Sequence, residues 1–141
     1  MSWTTHALEE LGAAGYRSGG ARRAVVELLG RQRCCLSAQE IFDRLRSARR
    51  PVGIASVYRT LETLAALRLV KRIDAGDGVA RYERADPAGE HHHHLVCRDC
   101  GKVEAFSDPR LERAIGRVAG GLGYEVEEHE VVLTGACADC V

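Results

Sequence analysis

The sequence lacks the features that place a protein in a membrane or in the secretory pathway. Its 141 residues contain no uninterrupted apolar run near the ~18 residues that a membrane-spanning helix needs. The segment MSWTTHALEELG carries acidic residues and has neither the basic start nor the apolar core of a secretory signal. With 45% hydrophobic and 28% charged residues, the chain is neither disordered nor fibrous. We therefore expect a soluble protein of the cytoplasm, with no membrane partner.

A net charge of zero hides a strong asymmetry between the two halves of the chain. Residues 1–72 contain 13 Lys+Arg against 6 Asp+Glu, a balance of +7. Residues 73–141 contain 7 Lys+Arg against 14 Asp+Glu, a balance of −7, so the halves cancel. A basic half can meet phosphates, whereas an acidic half is repelled by them. The charge pattern is compatible with a nucleic-acid surface in the first half, and equally with a solvated face.

The basic half shows helical periodicity followed by an extended pattern. Helices are predicted over 4–14, 21–29, from Ser37 to before Pro51, and over 54–67. The third begins with Ser37-Ala38-Gln39-Glu40, a capping box. Strands over 69–74 and 79–84 flank Ala75-Gly76-Asp77-Gly78, a hairpin turn. This order predicts a winged helix-turn-helix, with the helix from Ile54 in the major groove of DNA. On the helix predicted over 54–67, the residues expected to be buried are Ile54, Val57, Leu61 and Leu64. The residues expected on its exposed side are Ser56, Arg59, Thr60 and Thr63.

Residues 85–90 (ADPAGE) read as a linker, because they are small and polar and contain Pro and Gly. The domain boundaries predicted are therefore 1–84, 85–90 and 91–141. In the last segment strands are predicted over 94–97, 102–106, 124–126 and 131–133. A helix begins after Asp108-Pro109 and continues to about Ala119, with Leu111, Ile115 and Val118 on its inner side. The expected fold class is α+β, a winged helix-turn-helix followed by a small α/β domain.

Two Cys-x-x-Cys pairs, Cys97 with Cys100 and Cys137 with Cys140, are the strongest chemical signal. Four thiolates on two tight turns can close a tetrahedron around Zn²⁺. Buried cysteines that pack as small hydrophobic residues would not explain the repeated spacing. A redox Cys-x-x-Cys is disfavoured, because two pairs are present without a thioredoxin-like pattern. In a cytoplasmic chain these cysteines are not expected to form disulfides. The prediction is a structural zinc site.

The run His91–His94 is a second candidate for metal chemistry. On a strand, alternation places His91 and His93 on one face and His92 and His94 on the other. One histidine run can thus serve two metal sites, although such runs also occur as solvated loops.

An enzyme would need a zinc site that is open to substrate. A four-thiolate site is closed, and the H-E-x-x-H helix and the H-x-E…P-C-x-x-C deaminase signature are both absent. We therefore expect that the protein is not an enzyme. Metal storage or a metal chaperone is the competing function, and it predicts no affinity for DNA.

Four segments in order resemble the ferric uptake regulator family over nearly the whole chain: GIASVYRTLETL (53–64), the hairpin ribbon, HHHHLVCRDCGKVEAFSD (91–108) and the final CADC. The resemblance implies a dimeric, metal-dependent DNA-binding regulator, usually a repressor, whose C-terminal α/β domain is the dimerisation domain. The implied partners are a second copy of the chain and double-stranded DNA carrying an inverted-repeat operator.

The resemblance also implies three metal sites. The structural site is Cys97, Cys100, Cys137 and Cys140; the second is His91, His93, Glu112 and His129; the regulatory site is Cys35, Glu83, His92 and His94. Cys35 stands where the family often has a histidine. Four ligands that include one soft thiolate favour Zn²⁺ over Fe²⁺. An acidic residue that iron and peroxide sensors often place before Phe106 is here Ala105.

The favoured function is thus zinc sensing and repression of zinc uptake genes, with Fe(II), Mn(II), nickel or peroxide sensing as alternatives. If the alignment of this loop with the family pattern is shifted by one residue, Cys34 is the ligand in place of Cys35. The remaining alternative is that neither thiol binds a metal. The DNA contacts expected are Ser56, Tyr58 and Arg59 in the groove, with Arg17 and Arg22 on phosphates. Gly19-Gly20 before Arg22 replaces a stiffer turn of the family, and Tyr58 could also be part of the core.

Overall fold

The chain divides into two units, residues 1–89 and 90–141. The computed structural model describes residues 2–17, 19–85 and 91–141. Of the predicted linker only Ala85 belongs to these residues, and 86–90 lie outside them.

Four helices make up most of the first unit: α1 (Trp3–Ala13), α2 (Gly20–Arg31), α3 (Ala38–Ser47) and α4 (Ile54–Ala66). The predicted capping box is confirmed at α3. The Ser37 hydroxyl accepts from the Glu40 backbone N–H at 3.1 Å, and the Glu40 carboxylate accepts from the Ser37 N–H at 3.1 Å. Gly19 precedes α2 and provides no side-chain cap. The first helix is instead capped by Ser2, which the sequence analysis did not identify.

Helix α4 buries one face and exposes the other. Val57, Leu61 and Leu64 are fully buried, as predicted. Ile54 was expected in this stripe but is 37% exposed, because it is the first residue of the helix and lies at the margin of the core. Thr60 was expected on the exposed side but is buried, and its hydroxyl donates to the Ser56 carbonyl at 2.8 Å. The intrahelical hydrogen bond satisfies the hydroxyl, so the side chain tolerates burial.

The wing is a three-stranded antiparallel sheet in the order β1-β3-β2, with β1 (Leu36–Ser37), β2 (Val70–Asp74) and β3 (Ala80–Arg84). The predicted hairpin of β2 and β3 is confirmed, with Val70 opposite Arg84 and Asp74 opposite Ala80. Gly76 and Gly78 have positive φ values of 76° and 80°, which glycine adopts without strain. Strand β1 was not predicted, because two residues are too few to show an alternating pattern.

The core of this unit is built from the inner faces of all four helices and the sheet. Trp3, the only tryptophan of the chain, is 8% exposed. Its Nε1–H donates to the Leu69 carbonyl at 2.9 Å, which ties α1 to the start of the wing. Helices followed by a wing make this unit a winged helix-turn-helix.

The second unit consists of β4 (His93–Cys97), β5 (Val103–Phe106), α5 (Pro109–Gly121) and β6 (Val132–Gly135). Strand β4 is central, antiparallel to β5 and parallel to β6. Asp108 caps α5 through its carboxylate and the Arg110 N–H, with Pro109 in the first turn as predicted. The strand predicted over 124–126 is wrong: these residues are exposed and form no ladder within the described part of the chain.

Helix α5 shows an apolar face without a partner in its own unit. Val118 was expected to be buried but is 65% exposed, and no residue of α5 is buried in the single chain. Leu111 and Ile115 are half-buried. The helical period identifies which residues share a face, but not what covers that face. Among the residues that the structure describes, no helix combines the length and apolar character needed to cross a membrane.

Candidate metal centres

The four cysteines of the Cys-x-x-Cys pairs converge in the second unit. Their sulfur atoms all lie within 4.8 Å of one another, and Cys100 Sγ is 3.8 Å from Cys137 Sγ. Each pair lies on a tight turn, closed by the bond from the Gly101 N–H to the Cys97 carbonyl and by that from the Cys140 N–H to the Cys137 carbonyl, both 2.9 Å. Two thiolates on a tetrahedral zinc ion with Zn–S bonds near 2.3 Å are about 3.8 Å apart. The cluster therefore has the dimensions of a Cys₄ zinc site.

The acid–base properties of this cluster also suit a cation. Backbone N–H groups of Cys100 and Cys137 lower the pKa of Cys97 to about 6. Hydrogen bonds with Cys137 and then Cys97 raise the pKa of Cys140 to about 12, since crowded thiols cannot all carry negative charge. A divalent cation would stabilise all four thiolates together. The donor set fits Zn²⁺.

A second cluster joins His91, His93, Glu112 and His129, whose ligand atoms lie within 4.8 Å of one another. Nε2 of His91 is 3.2 Å from Nε2 of His93 and 3.0 Å from Nε2 of His129. The Glu112 carboxylate contacts His93 at 2.6 Å and also His129. Burial opposes ionisation of Glu112, but the bonds with His93 and His129 outweigh it and lower its pKa. One carboxylate facing three imidazoles is a donor set suited to a divalent metal.

In the first unit, Cys35 and Glu83 lie side by side. Leu36 pairs with Tyr82 in the β1–β3 ladder, Cys35 and Glu83 are the residues next to that pair, and the charge of Glu83 acts on the Cys35 thiol. Both side chains are buried, at 5% and 4% exposure. A hydrogen bond from Cys34, then burial, and the negative charges of Cys34 and Glu83, raise the pKa of Cys35. A buried carboxylate beside a buried thiol is costly without a cation.

In the second unit, His92 and His94 share the side of the chain opposite to His91 and His93. Their ring centroids are 4.9 Å apart, while those of His91 and His93 are 4.4 Å apart. The alternation inferred from the sequence thus describes the four rings correctly. Sequence reasoning missed Glu130, whose carboxylate lies 3.9 Å from Nδ1 of the buried His94. The sequence offered one indication of this role, because Glu130 follows His129 directly in an acidic run.

The expected DNA contacts lie at the surface of the first unit, where Arg17, Tyr58 and Arg59 are exposed and Arg22 and Ser56 are half-buried. Tyr58 is 49% exposed, which excludes a place in the core, and Arg59 donates to the Ser56 hydroxyl at 3.1 Å. A groove next to them is lined by Arg22, Ser56 and Arg59. Arg22 donates to the Arg17 carbonyl at 3.0 Å.

Sequence reasoning missed one residue of this groove, Tyr16. The guanidinium of Arg22 lies 5.2 Å from the centre of the Tyr16 ring. The contact holds Arg22 in place despite the glycine-rich turn before it.

The chain is similar to known proteins over most of its length. The model of the ferric uptake regulator family matches residues 13–134. The chain is 34% identical over 134 residues to the ferric uptake regulation protein of Bacillus subtilis (strain 168), covering 94% of this chain and 90% of the relative. It is 37% identical over 131 residues to the zinc uptake regulation protein of Mycobacterium tuberculosis (strain ATCC 25618 / H37Rv), covering 92% and 98%.

The structure of the Helicobacter pylori ferric uptake regulator Fur superposes with a TM-score of 0.84 at 29% identity, covering 97% of this chain and 93% of that one. That protein is described as having three functional metal binding sites. The family match covers most of the chain and includes both units. The chain therefore belongs to the ferric uptake regulator family, whose members are metal-dependent transcriptional regulators that bind DNA as dimers.

Proposed function

We propose that this protein is a zinc-sensing repressor that controls zinc uptake genes. The observation that carries the proposal is the buried thiol of Cys35 next to the buried carboxylate of Glu83. We assign the regulatory metal to these two residues together with His92 and His94. As a dimer, the protein would recognise an inverted-repeat operator.

The donor chemistry supports zinc at this site. A thiolate, two imidazoles and one carboxylate make a four-coordinate set with one soft ligand, which zinc accepts readily. Ferrous iron and manganese are better served by nitrogen and oxygen ligands in larger number. In the β4–β5 ladder His94 faces Ala105, whose methyl group offers no oxygen ligand. The site thus lacks a carboxylate at that position.

The remaining two clusters have supporting roles in this proposal. Cys97, Cys100, Cys137 and Cys140 would hold a structural zinc ion, which cross-links the ends of the second unit. His91, His93, Glu112 and His129 would hold a second metal ion. Glu112 ties α5 to β4, so a metal there would stiffen the helix against the sheet.

The placement of the regulatory ligands explains how metal availability would alter DNA binding. Cys35 and Glu83 belong to the unit that carries α4, whereas His92 and His94 belong to the other unit. A metal held by all four residues restricts the motion of one unit against the other. A dimer grips two half-sites about one helical turn apart only when both α4 helices are correctly oriented. The metal-bound form would then be the DNA-binding form.

Iron sensing is the second candidate function, because the B. subtilis relative is a ferric uptake regulation protein. Glu83, His92 and His94 supply the oxygen and nitrogen ligands that Fe²⁺ accepts. Iron sensing predicts that the thiol of Cys35 is dispensable for the response.

The test is DNA-binding anisotropy with an inverted-repeat operator from the promoter region of the gene itself. The protein keeps its structural zinc while free Zn²⁺, or anaerobic Fe²⁺, is buffered over a range of concentrations. We expect DNA binding to be switched on by zinc and lost in Cys35→Ser. The matched control is Arg33→Lys, an exposed position in the same loop that keeps its charge.

Three outcomes separate the candidates. A switch by zinc that requires Cys35 supports the proposal. A switch by iron with zinc inert, unaffected by Cys35→Ser, replaces it with iron sensing. Failure to bind DNA with any metal leaves metal storage as the function.

A further inference from the structure

The loop before β1 presents two sulfur atoms on the same side. Cys34 and Cys35 are adjacent in sequence, and in an extended strand their side chains would point to opposite faces. Here the chain bends at Arg33 and Cys34 before β1 begins. The Cys34 thiol donates to the Cys35 sulfur at a distance of 4.0 Å. The bend therefore brings together two groups that strand geometry would separate.

The spacing of the two sulfur atoms is that of two ligands on one metal ion. In the Cys₄ cluster of the same chain, Cys100 Sγ and Cys137 Sγ are 3.8 Å apart. Tetrahedral zinc requires about 3.8 Å between two bound thiolates. The Cys34–Cys35 separation differs from both values by a few tenths of an ångström. This spacing allows both thiolates to bind one tetrahedral ion.

We propose that Cys34 is a second thiolate ligand of the regulatory metal, so that Cys34 and Cys35 chelate it together next to Glu83. The inference rests on the proposed function and extends it, since the family resemblance assigns only one ligand to this loop. Cys34 is half-buried. Three donors then come from the first unit alone, and with His92 and His94 they make a five-coordinate set in place of the four-coordinate one.

A dithiolate changes the selectivity expected of the site. Two soft ligands favour Zn²⁺, and other thiophilic ions such as Cd²⁺, over Fe²⁺ and Mn²⁺. With Cys34, Cys35 and Glu83 on one unit, the metal has most of its protein ligands before the histidines of the other unit complete the set. The residues of the first unit would thus decide which metal binds. Binding of that metal by His92 and His94 would then produce the DNA response.

The experiment counts thiolates with cobalt. Full-length protein that retains one structural zinc per chain receives Co²⁺ in excess of two further equivalents, enough to fill both remaining centres, under anaerobic conditions. The near-ultraviolet sulfur-to-cobalt charge-transfer band is recorded for the wild type, Cys34→Ala, Cys35→Ala and the control Arg33→Lys. The His91/His93/Glu112/His129 cluster has no sulfur, so cobalt bound there does not contribute to this band.

We expect each single cysteine variant to lose about half of the band, and the control to retain all of it. Zinc affinity of Cys34→Ala should fall at least tenfold, since even groups that only support a ligand are worth about 10–100-fold. An independent readout uses the unmodified protein: zinc should protect Cys34 from alkylation, as mapped by mass spectrometry.

An unchanged band in Cys34→Ala, with the band abolished in Cys35→Ala, would overturn the dithiolate while leaving the proposed zinc sensor intact. Alkylation of Cys34 that proceeds equally fast with and without zinc would overturn the dithiolate in the same way. A wild-type protein without any sulfur-to-cobalt band would refute both the dithiolate and the assignment of Cys35. The two failures are therefore distinguishable.

Discussion

The second unit has a small apolar core in the single chain. Among its described residues, the buried apolar side chains are only Val96 and Cys97. Fully burying a side chain of the size of Val is worth about 1.5–3 kcal/mol. Ordering a backbone costs about 1–2 kcal/mol for each residue. Apolar burial in the single chain therefore falls far short of the cost of ordering this unit.

A zinc ion at the four cysteines would supply stability that apolar burial does not. Binding of Zn²⁺ to structural sites of zinc-finger peptides is worth about 10–16 kcal/mol at neutral pH, and this free energy is also folding free energy. Cys97 is the ligand to remove, because it is the last residue of the central strand β4 and its sulfur also accepts from the Cys137 N–H at 3.3 Å. We expect Cys97→Ser to unfold residues 91–141.

The first unit should survive this substitution, since its core is built from its own helices and sheet. Hydrogen exchange read by mass spectrometry should show loss of protection in β4, β5 and β6 but not in α1 to α4. Fluorescence of Trp3 reports the first unit independently. The matched control is Ser107→Ala, an exposed position in the same unit. Protection retained in β4 to β6 while zinc is absent by elemental analysis would refute the reasoning.

Two further predictions concern the first unit. Arg81 is buried, and its guanidinium pairs with the Asp77 carboxylate at 2.9 Å. Asp77→Asn should therefore destabilise this unit by about 2 kcal/mol. This is less than the about 3–5 kcal/mol lost when a fully buried ion pair is broken. The hydrogen bond from Arg81 lowers the pKa of Asp77 below 3.8. The stability that this ion pair contributes is therefore present above pH 3.8 and is lost as the pH falls through the lower pKa of the folded state. A stability difference between Asp77→Asn and wild type that does not shrink in acid would contradict this prediction. Arg59→Ala should weaken operator binding by about 1–3 kcal/mol and leave the zinc content unchanged. If the variant loses the same binding free energy on unrelated DNA, Arg59 contacts the phosphates and not the bases.

The features that sequence predicted well are those determined by a few neighbouring residues. The capping box at Ser37 needs only a hydroxyl and a carboxylate three residues apart, and the structure shows both bonds. The hairpin depends on the glycines between β2 and β3, and its register follows from the turn. The Cys-x-x-Cys spacing places two sulfurs on one turn, and the cysteines converge as the pattern indicated.

The features that sequence missed depend on a partner elsewhere. Residues 124–126 alternate like a strand but pair with no strand of the described chain. Strand β1 is the reverse case, because its two residues become a strand only through β3. The helical period of α5 put Val118 on the inner face, but in the described part of the chain this side chain is 65% exposed. Local patterns identify a face, and tertiary structure decides whether that face is buried.

Cys34 marks the limit of arguments from alternation. The rule succeeded for the four histidines because they lead directly into β4, where side chains alternate. Applied to Cys34 and Cys35, the same rule would have pointed the two sulfurs in opposite directions. The bend before β1 breaks the alternation, and nothing in the residue types of the loop reveals it.

The register of β4 links the three metal centres. The strand ends at Cys97, a member of the thiolate cluster, and begins among the histidines that are divided between the other two centres. A slip of one residue would exchange the faces of the two histidine pairs. Pairing with both β5 and β6 opposes such a slip, and zinc bound at Cys97 would fix it at one end. A zinc ion at the structural centre would therefore also fix which histidines are available to the proposed regulatory site, so its loss should disable that site even where Cys35 and Glu83 remain in place.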